Sequence, residues 1–378
     1  MKTLTILVTT TVAFAATPAE TAIEKAQTEI AKHPDHAPYY NVLAMAYARR
    51  ARETSDVQYY AKAEGTLQRS FTLAPDNYEG LKTLAWLQLG RHEFAKALET
   101  ATKLNEKVPD DVLVYGYLAD ANTELGNYKE AVAATQWMLD LRPGNIPGLT
   151  RAAYQRELHG NLPGALELMQ MAYDSTPPAE SEDRAWLLTQ MGHLFLVTGD
   201  LSQAETYANR ALGLFPEYHY ALGTLAQVRV GQKRYEDVVK LLSKRYAAAP
   251  HAENLYALAE ALELAGQTEE SQQAFAEFER KSLAETDFSD NSNHELIAYY
   301  VDYAHRPEKA LEVARREIAR RKDVFTLDCY AWALAANGQY QEANTQIQNA
   351  LQVAVKDPKI LLHANYISQH LNKPVEVE

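Results

Sequence analysis

Four tracts of this 378-residue chain hold side chains of the kinds that do chemistry. His33 and His36 flank Pro34 and Asp35, but two imidazoles and one carboxylate across a proline turn lack the spacing of a metal-ligand set. The run from Thr286 to Asn293, TDFSDNSN, is rich in oxygen ligands without the spacing or turn glycine of a calcium loop, so a polar connector is expected there. Arg315, Arg316, Arg320, Arg321 and Lys322 crowd one late helix and read as a solvated basic face. Cys329 is the single cysteine, cannot form an internal disulfide, and reads as a small buried residue. No GxxxxGKS/T phosphate loop, GxGxxG turn, HExxH helix or GxSxG elbow occurs in the sequence, so no local motif assigns an enzyme and no cofactor is expected.

What positions these side chains is a repeat. Pro34, Pro75, Pro109, Pro143, Pro177, Pro216 and Pro250 step by 41, 34, 34, 34, 39 and 34 residues. Two ladders of small residues run in phase with them. The first is Ala44, Ala85, Ala119, Ala153, Gly192, Ala226, Ala259, Ala298 and Ala331; the second is Ala63, Ala97, Ala131, Ala165, Ala204, Val238, Ser271, Ala310 and Ala343. Small side chains at matched points let two helix axes approach closely, which tight antiparallel packing requires. Apolar residues recur at helical spacing, as in Leu81, Leu84, Ala85 and Leu87, with turn glycines at Gly90, Gly126, Gly160, Gly199, Gly266 and Gly338. The Pro-Asp pairs at 34, 75 and 109 are expected to stop one helix and cap the next.

In its best unit, Tyr115 to Pro143, the chain resembles the tetratricopeptide repeat family: Tyr115, Leu118, Ala119, Gly126, Tyr128, Ala131 and Pro143 fall at the family's positions. The resemblance covers roughly residues 22 to 358 and implies an all-α fold. That fold would be a right-handed superhelical solenoid of about nine antiparallel helix pairs, with helical caps near 20–34 and 359–372. Extra residues at Arg49 to Asp56 and Pro177 to Asp183 account for the long steps, by lengthening a helix or its loop. The last units, around Leu283 and Lys322, lose the proline, which leaves their inter-repeat angles open.

The resemblance also implies a concave groove, lined by the residue after the first small ladder and by the position four earlier. Those registers supply a partner-binding set: Met45, Lys82, Trp86, Asp120, Tyr154, His193, Gln227, Tyr256, Glu260, Tyr299 and Trp332. Aromatic and Met side chains are the usual anchors of recognition surfaces. Some relatives clamp a peptide's terminal carboxylate at these places, but Asn41, Met45, Lys82, Trp86, Gly116 and Asp120 do not reproduce that clamp. The expected function is a non-catalytic scaffold whose groove receives a protein or peptide. Two alternatives stand beside it: a structural subunit that self-associates through its convex face or ends, and an enzyme or metal-dependent factor built around Asp120, His193 and Glu260.

Net charge is −13, which argues against nucleic acid as a partner. No internal apolar run is long enough to span a membrane. Lys2, the apolar stretch from Leu4 to Phe14 and the small-x-small triplet Ala13-Phe14-Ala15 read as an export signal over residues 1–15, with 16–378 a single solenoid in a periplasmic or secreted setting.

Overall fold

A computed structural model describes residues 16–371; the expected export signal lies outside the described residues. The described residues form helices and short turns with no strand. A lone helix α1 (Pro18–Lys32) precedes nine antiparallel pairs. These are α2 (Ala37–Thr54) with α3 (Gln58–Leu73), α4 (Tyr78–Gly90) with α5 (Phe94–Lys107), α6 (Val112–Glu124) with α7 (Tyr128–Leu141), and α8 (Ile146–Leu158) with α9 (Leu162–Ser175). Next come α10 (Ser181–Val197) with α11 (Leu201–Leu214), α12 (His219–Gly231) with α13 (Tyr235–Ala248), and α14 (Ala252–Leu264) with α15 (Thr268–Glu285). The last are α16 (Asn293–Ala298), continued by a π-helical turn over Tyr299–Tyr303, with α17 (Pro307–Ile318), and α18 (Val324–Ala336) with α19 (Tyr340–Leu351); α20 (Pro358–Leu371) packs on the final pair.

All eighteen ladder positions are buried, which is why consecutive helices can lie so close. The caps differ from expectation. The cap of a first helix sits two residues after the proline, not one: Asn77 accepts from Gly80 N–H at 2.6 Å, Asp111 from Leu113 N–H at 3.0 Å, and Asn145 from Gly148 N–H at 2.8 Å. The residue between belongs to the turn, whose closing hydrogen bond runs from the cap N–H to the last residue of the preceding helix or its neighbour (Asn77 N–H to Ala74 O, 3.3 Å).

Both insertions lengthen a first helix. α2 has 18 residues and α10 has 17, against 13 in α4, α6 and α8. The extra turn of α2 is C-terminal and carries Arg50 and Arg52; that of α10 is N-terminal and carries Glu182 and Asp183. Each charge suits the helix end that bears it, because the macrodipole favours cations at the C-terminus and anions at the N-terminus.

Those ends meet, because the solenoid coils back onto itself. Arg49 Nη2 bonds Glu180 at 2.6 Å and Asp183 at 3.1 Å, and Arg52 Nη2 bonds Asp183 at 2.6 Å as well as Glu182. Glu182 is fully buried and also accepts from Tyr218 OH at 2.6 Å. The edge of the third pair meets the start of the ninth, where Lys322 N–H donates to Glu124 O at 3.0 Å and Val324 N–H to Tyr128 OH at 2.9 Å. The seam thus joins helix-pair turns to the loops that open pairs one coil later, and the large C-terminal core cluster includes Leu158 of α8 through it.

Two turn glycines carry a second duty at this seam. Gly126 (φ 78°) and Gly160 (φ 73°) both need a left-handed backbone, and a Cβ on either would lie 2.7 Å from a backbone oxygen of the opposing coil, Lys322 or Ala354. Gly199 (φ 80°) has the same backbone with open space around it. Gly199→Ala is therefore expected to cost about 1 kcal/mol for its φ alone. Gly126→Ala should cost clearly more; equal urea midpoints for the two variants would show that the seam tolerates the methyl.

Candidate concave site

In every one of the nine pairs the small residue of the first helix is buried, while the residue after it keeps accessible surface: Met45, Trp86, Asp120, Tyr154, His193, Gln227, Glu260, Tyr299 and Trp332. The spacing follows from helical geometry, since adjacent residues point about 100° apart.

Most of these side chains reach a partner on a neighbouring pair, before or after their own. Asp120 bonds Arg151 at 2.5 Å, His193 Nε2 lies 2.8 Å from Glu157, Glu260 accepts from Tyr303 OH at 3.2 Å, and Trp332 Nε1 donates to Asp302 at 2.9 Å. Lys82 pairs with the capping Asp111 at 2.7 Å. Trp86 touches the cores of the first two pairs, Tyr256 is only 6% exposed between Phe275 and Phe278, and Tyr299 stacks on Phe275 at 5.2 Å. Trp332 also stacks on His363 at 4.2 Å, and Tyr154 packs against the C-terminal cluster across the coil. Gln227 is exposed and Met45 half-buried. Asp120, His193 and Glu260 thus take three separate partners, and no group of three His, Cys, Asp or Glu side chains converges to hold a metal among the described residues.

The partners Glu157, Tyr303 and Asp302 were not singled out in the sequence. They lie one helical turn beyond the concave register, together with Arg49 and Glu124. Charge recurring three or four residues after the ladder-plus-one position was the available signal.

Coiling narrows the hollow, and this shows in its acids and bases. Burial, reinforced by Asp323, pushes Glu124 up to about 8; burial, reinforced by Glu253, pushes Glu295 up to about 7. Burial also raises Asp120 against the pull of Arg151, and Glu260 against Tyr256 and Lys359. Burial depresses His193, but Glu157 more than compensates, and the net shift is upward. The Cys329 thiol is pushed well above its usual range by burial, then by Asp328, so it is not a thiolate nucleophile.

Of the other tracts, His33 and His36 stay exposed in their turn. The late basic cluster is not simply a solvated face. Arg320 bonds the carbonyls of Thr286 and Phe288 at 3.0 Å each, Arg316 meets Asp287 at 3.3 Å, and Arg321 bonds Glu317 at 2.9 Å. These arginines hold the polar connector before α16, which replaces the missing proline turn, so their charge is used within the fold.

A family model described as Tetratricopeptide repeat matches residues 82–146 and 189–252. Among solved structures, the chain is similar to the APC/C hetero-tetramer Cut9-Hcn1, at 10% identity and TM-score 0.52, over 92% of this chain and 58% of that one. It is also similar to the human IFIT1 dimer with PPP-AAAA, at 12% identity and TM-score 0.51, over 90% of this chain and 96% of that one. The chain therefore spans little more than half of the Cut9-Hcn1 chain, and at such identities the likeness is one of fold. No curated protein matches. No described helix is long and apolar enough to cross a membrane.

Proposed function

We propose that this chain is a non-catalytic scaffold of the cell envelope, exported through residues 1–15, that holds a protein or peptide segment along its concave face. The observation that carries the reading is the alternation in all nine pairs: a buried small residue followed by a larger side chain with surface left to offer. That row combines aromatic anchors with under-compensated carboxylates such as Glu260 and Asp120, a lining suited to an extended segment bearing lysine or arginine beside apolar residues.

A photo-crosslinking residue at Gln227, exposed in the concave row, tests this against one at Gln136, exposed on α7. Adducts to another protein from position 227 and not from 136 are expected. The reverse pattern would replace the reading with one specific rival: Trp137, 53% exposed and stacked on Tyr115 at 5.9 Å, would then mark a convex surface used for assembly. The compartment is tested by fractionating cells and sequencing the N-terminus of the chain recovered from the envelope.

A further inference from the structure

The link between α19 and α20 differs from the links between the early pairs. Six residues, 352–357, separate the two helices, against four at 74–77, 108–111 and 142–145. Residues 354–357 run outside any helix or turn, and Ala354 takes φ 60°, a left-handed value that a residue with a Cβ adopts only under constraint.

The constraint comes from the opposing coil. The Ala354 carbonyl sits over Gly160, 2.7 Å from where a Cβ would stand, and Lys356 Cε lies 3.0 Å from the same point. Val353 and Val355 are buried and belong, with Ile360, to the packed cluster that takes in Leu158 and Tyr154 of the fourth pair. The first turn of α20 then enters the hollow. Burial works against the charge of Lys359, and Glu260, Asp328 and Asp302 are among the groups that outweigh it. Asp357 accepts from Lys359 and Ile360 N–H at 2.9 and 3.0 Å and so caps α20. Burial lowers His193, and Asp357 adds to the upward pull of Glu157 that overcomes it. One short segment therefore meets concave residues of the fifth and seventh pairs, His193 and Glu260, with Gln227 of the sixth between them in the row.

This segment has the chemistry that suits the concave lining. Val353, Val355, Lys356 and Lys359 alternate apolar side chains and then supply lysine. Packing holds it: among the described residues no hydrogen bond joins 352–357 to the fourth pair, whereas at the third pair Lys322 and Val324 N–H both donate across the seam.

We infer that residues 352–359 are an internal ligand of the concave hollow, an autoinhibitory strap that an extended partner segment of the same kind, alternating apolar residues followed by lysine, must displace. The inference rests on the concave reading above and specifies its ligand. A tethered strap competes at high effective concentration, so a partner gains access only by making more contacts than Val353, Val355 and Lys359 make.

Fluorescence anisotropy with a labelled peptide of residues 352–361, titrated with the full chain, tests the strap. Because the tethered copy competes, the peptide should bind wild type about tenfold or more weakly than it binds Val355→Asp or Lys359→Glu, each of which loosens the strap. The same peptide with glutamate in place of both lysines should bind none of the three. Equal affinity in wild type and both variants, no saturable binding in any, or equal binding of the glutamate peptide would overturn the strap. Should thermal melts show Val355→Asp to be unfolded, Lys359→Glu decides alone, since Lys359 keeps accessible surface. A photo-crosslinking residue at Gln227 separates this inference from the reading beneath it. Adducts several-fold stronger in Lys359→Glu than in wild type support both, and adducts equal in the two chains overturn the autoinhibition. Adducts absent from both chains, with the peptide result positive, remove the partner and leave the strap as a ligand of its own groove.

Discussion

Arg52→Ala is expected to destabilise the coil by about 3–5 kcal/mol, more than any single change on the exposed faces of the array, because it leaves a buried carboxylate without its cation. Glu182 is fully buried and holds the Arg52 guanidinium and the Tyr218 hydroxyl. Burial already raises its pKa even with Arg52 in place. With the arginine gone, Glu182 must take up a proton or drag water in. A solenoid has a third option: each pair contacts mainly its neighbours, so the coil can open at the seam while the pairs stay folded. The variant should therefore show a larger radius of gyration by small-angle scattering as well as a lower urea midpoint. The double change Arg52→Met with Glu182→Leu, which removes both charges and keeps volume, should recover most of the loss. An unchanged midpoint and radius in Arg52→Ala would mean that the clasp contributes nothing to closure.

The same clasp marks the limit of what one sequence reveals. Both halves were visible as interruptions of the 34-residue step, at Arg49 to Asp56 and Pro177 to Asp183, with a helix or its loop open to take the extra residues. That they are partners was not visible. Which pair meets which is set by the superhelical pitch, the sum of small rotations between units, and that sum depends on packing details no periodicity encodes. Gly126, Gly160 and Gly199 likewise look alike in sequence, yet only the first two face a backbone oxygen of the opposing coil. The ladders were legible because a small residue is needed at every contact of neighbouring helices, so the signal repeats nine times. The concave row is what the family resemblance implies for those ladders, but its ion pairs were not legible, because Arg151 and Glu157 sit on α8 three residues to either side of Tyr154, off that register. The proline lost near Leu283 was an ambiguous sign until α15 was seen to run on to Glu285, leaving the crossing to a connector pinned by Arg316 and Arg320.

Closure of the coil also dictates how stability depends on pH, and the two limbs have opposite causes. Glu124 and Glu295 move from an ordinary 4.5 up to about 8 and about 7. The folded chain then binds more protons than the unfolded one between 4.5 and those values, so stability is lost as pH rises through them. His219 moves the other way, from 6.5 down to about 4, chiefly by burial, and His294 from 6.5 to about 3 by burial and then by Arg321; His92 shifts in the same direction. These rings stay neutral in the folded chain while the unfolded chain protonates them below 6.5, so stability is lost as pH falls from there. Each group contributes a slope of about 1.4 kcal/mol per pH unit within its window, and above 6.5 the raised carboxyls act unopposed by these histidines, which are then neutral in both states. The melting temperature should accordingly fall as pH rises from 6.5 to about 8. Glu124→Gln should flatten the alkaline limb, because the amide needs no proton to remain neutral beside Asp323. His219→Gln should shallow the acid limb alone, keeping a side chain able to reach the Arg52 carbonyl that His219 Nε2 meets at 3.2 Å. A melting temperature that climbs steadily from pH 6.5 to about 8 would show that the hollow stays open enough to hydrate Glu124 and Glu295 as anions, and the coil would then be looser in solution than its seam contacts require.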